Sequence, residues 1–83
     1  MSVSLSELKI GEKAIIIDVN IDEIPLKLLE MGCLPGNEVA LVQIAPLGDP
    51  YYFNINDSHV AIRKEIAHEV TVVLENSLNV DAK

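Results

Sequence analysis

Tryptophan is absent, and Tyr51, Tyr52 and Phe53 are the only aromatic residues. A groove that grips polyproline peptides is lined with aromatic rings. Three consecutive aromatics cannot build one, because neighbouring strand residues point to opposite faces; one of the three is expected to turn inward and its neighbours outward. Cysteine occurs once, at Cys33, so no internal disulfide exists and a reducing compartment suits the chain. Positive charge is scarce: six Lys and Arg face thirteen Asp and Glu, for a net charge of −7. Nucleic acid and anionic membranes are bound chiefly through Lys and Arg, so this balance excludes both as main partners. Long apolar runs are missing too. The stretch Ala14 to Ile17 is far too short to cross a bilayer. The amino-terminal residues MSVSLSELKIGEK lack the basic and apolar regions of a secretory signal, which places the chain in the cytosol.

What is abundant is aliphatic. Of the 83 residues, 49% are hydrophobic, mostly Ile, Val, Leu and Ala. A chain this short forms one domain, where surface is largest relative to volume, so part of that apolar content is expected to be exposed as a partner surface.

Turn and cap signals divide the chain. Ser4 and Glu7 have the spacing of a capping box and predict one helical turn ending near Gly11. The β-branched run EKAIIIDVNI predicts a first strand over Glu12 to Asn20. Asp22 reads as the N-cap of a helix EIPLKLLEM, in which Ile24, Leu28 and Met31 share one face and Leu26 and Leu29 fall outside it. Gly32 suits the positive φ that ends a helix, and Pro35-Gly36 the centre of a type II turn. EVALVQIA predicts a second strand over Glu38 to Ala45 with apolar residues on both sides, as in a strand covered on both faces or closed into a barrel. YYFNI and HVAIR read as a hairpin with Asp57 in the tight turn, KEIAHE as one helical turn, and VTVVL as a fifth strand. The expected fold is mainly β: a small, partly open antiparallel barrel of about five strands, with a short α-helix between the first and second. A single domain is expected over residues 1–75 and a frayed tail over 76–83.

No catalytic constellation stands out. His59 and His68 are separated from Cys33, no CxxC, HxxxH or calcium-loop spacing occurs, and each glycine sits at a turn or cap. Cys33, between a helix cap and Leu34, reads as a small buried apolar side chain. No cofactor is expected, and a ferrous or other transition metal ion finds no ligand spacing to support it. An enzyme is a poor fit, which leaves surface recognition.

The strings LLEMGCLPGNEV, APLGDP and VAIRKEIAHEVTVV, in that order, together with the opening LSELKIGEKAIIIDV, resemble the FeoA family from Val3 to Leu74. The resemblance implies an SH3-like barrel and a non-enzymatic cytosolic accessory role in ferrous iron uptake. Its implied partner is the cytosolic region of the transporter FeoB, with no insertion into the membrane. The same domain type is attached to iron-dependent repressors of the DtxR class, which makes a regulatory module one alternative; the acidic balance with His59, His68 and Cys33 makes a protein that binds Fe²⁺ itself another.

Two surfaces are candidates for partner binding. One is the outer side of the helix with Leu26, Lys27 and Leu29; core burial is the competing reading for Leu29. The other is the tip of the loop APLGDP, with Leu47, Gly48 and Asp49. Two strands need only a two-residue turn, so a loop of this length bounded by Pro46 and Pro50 exceeds what a hairpin requires. Those prolines are expected to keep strand pairing out of the loop.

Overall fold

A computed structural model describes residues 2–75. The tail expected over 76–83 lies outside the described residues. Among the described residues six antiparallel strands form one unclosed sheet in the order β1-β6-β2-β3-β4-β5. They are β1 (Ser2–Ser4), β2 (Lys13–Val19), β3 (Glu38–Ile44), β4 (Tyr51–Ile55), β5 (Ser58–Ile62) and β6 (Val70–Leu74). Short helices α1 (Leu26–Glu30) and α2 (Lys64–Ala67) lie after β2 and between β5 and β6.

The expected five strands become six. Ser2–Ser4, too short and polar to show an alternating pattern, pairs with Thr71 to Val73 of β6. The turn after it forms over Leu5–Glu7 as a 3-10 helix, but no capping box closes it: Ser4 Oγ lies 2.6 Å from Ser6 Oγ and 3.4 Å from Glu7 Oε2. Asp22 does not cap α1 either. It sits inside a separate 3-10 turn, Ile21–Glu23, and Pro25 takes the position before α1. Ile24 runs between the two turns in extended backbone and is buried, as the residue before a proline is steered away from helical geometry.

The end of α1 follows the expectation closely. Gly32 has φ +109°; its amide donates to the Leu29 carbonyl at 3.1 Å, and the Cys33 amide to the Leu28 carbonyl at 3.0 Å. Those two bonds define a Schellman cap, which satisfies carbonyls the helix would otherwise leave open. Asn37 donates to the Leu34 carbonyl at 3.2 Å and closes the turn at Pro35-Gly36. Strand β3 therefore starts within a few residues of the helix, antiparallel to β2.

Apolar residues on both sides of β2 and β3 have a local cause. The register slips between Ile16 and Asp18 against β6, and between Leu41 and Gln43 against β4. Ile17 and Val42, the residues at the slips, are 46% and 48% exposed. Such bulges sharpen the twist of a strand and help coil a sheet into an open barrel. Tyr51 and Phe53 both point inward, their ring centroids 6.1 Å apart, while Tyr52 points out. The expected parity of the three aromatics is thus reversed, because Ile55, also buried, fixes the phase of β4. The core is otherwise aliphatic: Leu5, Ile16, Val39, Leu41, Ile62, Val70 and Val72 are fully enclosed, with Cys33 among them. No helix among the described residues is long and apolar enough to cross a membrane.

Candidate functional site

Between α1, β5 and α2 lies a groove of about 460 Å³. Helix α1 and the residues on either side of it supply Pro25, Lys27, Leu28 and Met31; β5 supplies His59 through Ile62; Arg63 and Ile66 close the far side. Leu28, Met31 and Ile66 are half-buried, packed on the core from one side and open to the groove on the other. Lys27, His59 and Arg63 are exposed around this apolar floor. Among the described residues no acidic side chain lines the groove, although the chain carries thirteen. The site is a local reversal of the protein's charge.

Local chemistry explains the placement. Pro25 and the Schellman cap limit α1 to five residues, which turns Leu28 and Met31 toward the strand edge. The hairpin Asn56-Asp57 has φ of 51° and 69°, the type I′ geometry that matches strand twist and fixes the register of β5 on β4. Helix α2 has no side-chain cap of its own at Arg63. Instead Asp49, in the loop between β3 and β4, accepts a hydrogen bond from the Lys64 amide at 2.8 Å.

Of the residues proposed from sequence for partner binding, only Lys27 lines the groove. Leu26 is 68% exposed but lies outside the lining, and Leu29 is half-buried against the core. Leu47 is 97% exposed at the loop tip. The loop is built by Gly48 donating to the Ala45 carbonyl at 2.8 Å and Ala45 donating to the Pro50 carbonyl at 3.0 Å. Pairing therefore extends one step into the loop despite Pro50, whose carbonyl is still available to accept. Loop and groove meet at Arg63, which also borders a small cleft with Asp49 and Pro50.

Sequence reasoning missed His59, Arg63 and Ile66 as groove residues and placed Leu28 and Met31 only on a common helix face with Ile24. A methionine at the margin of a short helix was a usable signal, since its flexible side chain suits adaptable surfaces. Among the described residues no three His, Cys, Asp or Glu side chains gather as metal ligands. Cys33 is fully enclosed, and burial raises its thiol pKa, which keeps it protonated and unreactive.

The sequence pattern of the FeoA domain matches residues 3–74. The chain belongs to the FeoA family. It is 42% identical over 74 residues to the Fe(2+) transport protein A/Fe(2+) transporter FeoB fusion protein of Porphyromonas gingivalis, a match that covers 88% of this chain and 9% of that protein. The chain thus spans about 9% of the length of that curated relative. The solution structure of the FeoA protein from Chlorobium tepidum superposes with a TM-score of 0.78 at 31% identity, over 87% of this chain and 70% of that one. The zinc-complexed FeoA of Stenotrophomonas maltophilia, a prokaryotic SH3 domain protein, gives 0.70 at 29% identity, over 90% and 92% of the two chains. The open barrel of this FeoA-family chain is accordingly of the SH3-like kind.

Proposed function

We propose that this chain is a non-enzymatic, cytoplasmic accessory of ferrous iron uptake that binds the cytosolic region of a FeoB-type transporter through the face containing the α1–β5–α2 groove. The observation that carries this reading is the relative in which the same domain, at 42% identity, is joined to FeoB in one polypeptide. Fusion raises the effective concentration of two parts that engage each other, which supports a direct contact between the domain and FeoB. An apolar groove bordered by Lys27 and Arg63, on a chain of net charge −7, offers a surface for that engagement.

Calorimetric titration of the full chain against the cytosolic region of its cognate FeoB-type transporter, with GDP and with a non-hydrolysable GTP analogue, tests the reading. Saturable binding is expected in at least one nucleotide state, weakened when Lys27 and Arg63 are both replaced by glutamate. Absence of binding in both states would overturn it.

A further inference from the structure

The groove is lined by four consecutive residues of β5, His59, Val60, Ala61 and Ile62. Successive strand residues face opposite sides of a sheet, so a groove touching all four runs along the strand's edge and not across its face. That edge is the outer one, because among the described residues β5 ends the sheet order and pairs only with β4. In a two-residue hairpin the flanking residues, here Ile55 and Ser58, exchange both backbone hydrogen bonds, and every second pair beyond them does the same. Phe53 with Val60 and Tyr51 with Ile62 are therefore the bonded pairs. The N–H and C=O groups of His59 and Ala61 point away from β4 into the groove, and no backbone or side-chain group among the described residues bonds them.

We propose that the groove accepts an extended acidic segment of its protein partner as an added strand on β5. The outward backbone groups of His59 and Ala61 pair with that segment. Alternate apolar side chains of the segment settle on Leu28, Met31 and Ile66, and its carboxylates meet Lys27 and Arg63. Backbone pairing provides affinity and the alternate pockets provide selectivity, as in other cases of strand addition. The absence of any acidic lining residue selects a partner of negative charge from a protein that otherwise repels one. This inference rests on the partner-binding reading above and specifies its mode.

The test uses NMR hydrogen exchange on the full chain, with a short blocked peptide of alternating glutamate and valine as probe. Without probe the His59 and Ala61 amides should exchange fast while those of Val60 and Ile62 are slow. Saturation with the peptide should slow the first two by more than about tenfold. The same peptide N-methylated at every second residue should fail to protect them, and a lysine–valine peptide should bind at least about tenfold more weakly. Ala61→Pro removes an amide that the β4–β5 ladder does not use, which an edge strand tolerates. It should abolish peptide binding with the melting temperature little changed, and if that variant does not fold the N-methylated peptide still decides.

Peptide binding without protection of the two amides would overturn strand addition. So would amides already protected in the free protein, whether by a second copy or by the chain's own terminus, and so would no binding at all. The cytosolic transporter region is titrated in the same assay. If it binds and leaves His59 and Ala61 unprotected, only the strand-addition mode falls; if it does not bind while the peptide does, only the transporter reading falls.

Discussion

Asp49 and Lys64 are fifteen residues apart in sequence, yet the Asp49 carboxylate accepts the Lys64 backbone amide at 2.8 Å. The loop between β3 and β4 thereby caps the helix that forms one wall of the groove. Removing a cap of this kind costs about 1 kcal/mol, and an amide in its place keeps most of the bond. Asp49→Ala should therefore lower the unfolding free energy from urea denaturation by that amount and weaken transporter binding through the loosened wall. Asp49→Asn should restore both. Equal behaviour of the two variants would show that the hydrogen bond contributes nothing in solution.

Leu47 stands on the same loop with 97% of its surface exposed. No folded-state contact is lost when it changes, so Leu47→Glu should alter stability by less than about 0.5 kcal/mol. It should weaken binding to the cytosolic transporter region, as measured by calorimetry, because an isolated leucine at a loop tip serves recognition better than packing. Unchanged affinity would confine recognition to the groove.

Gly32 carries the turn that ends α1. A Cβ there would meet Asn56, Ile55 and Asn37 at 3.5–3.6 Å, which is ordinary contact, so space is not what requires glycine. Its φ of +109° is what does. Gly32→Ala should cost roughly 1 to 2 kcal/mol in chemical denaturation, the penalty for holding an L-residue at positive φ. A neutral outcome would mean that the Schellman cap shifts to a different residue.

Much of this architecture is legible in the chain. The stop at Gly32, the turn at Pro35-Gly36, the hairpin at Asp57 and the strands on either side of it are all specified by residues that favour only one backbone geometry. The first strand is not, because Ser2–Ser4 takes its order from pairing with β6, more than sixty residues away. Asp22 misleads for a related reason: the restriction imposed by Pro25 on Ile24 splits what reads as one helix into two turns. The groove was the least legible feature. His59 and Arg63 become its residues only because the chain leaves β5 through α2 and returns next to β1, which makes β5 an edge. No short-range pattern carries that information, whereas exposure of Leu47 between two prolines is a local property and could be anticipated.

Cys33 links burial to pH. Enclosure in the core raises its thiol pKa above the usual value of 9.0, because the thiolate would be stranded without solvent. Above pH 9.0 the unfolded chain releases this proton while the folded chain keeps it, so the folded state binds more protons. Stability is then independent of this group below that pH and falls as pH rises through the interval up to the folded pKa. Cys33→Ala removes the thiol and with it this pH dependence, at a constant cost for the vacated volume. The stability gap between the two proteins, measured by denaturation at a series of pH values, should therefore hold steady below pH 9.0 and narrow above it. A gap that stays constant or widens on the alkaline side would mean that solvent reaches the thiol, and hence that the core at the end of α1 opens far more readily than its burial implies.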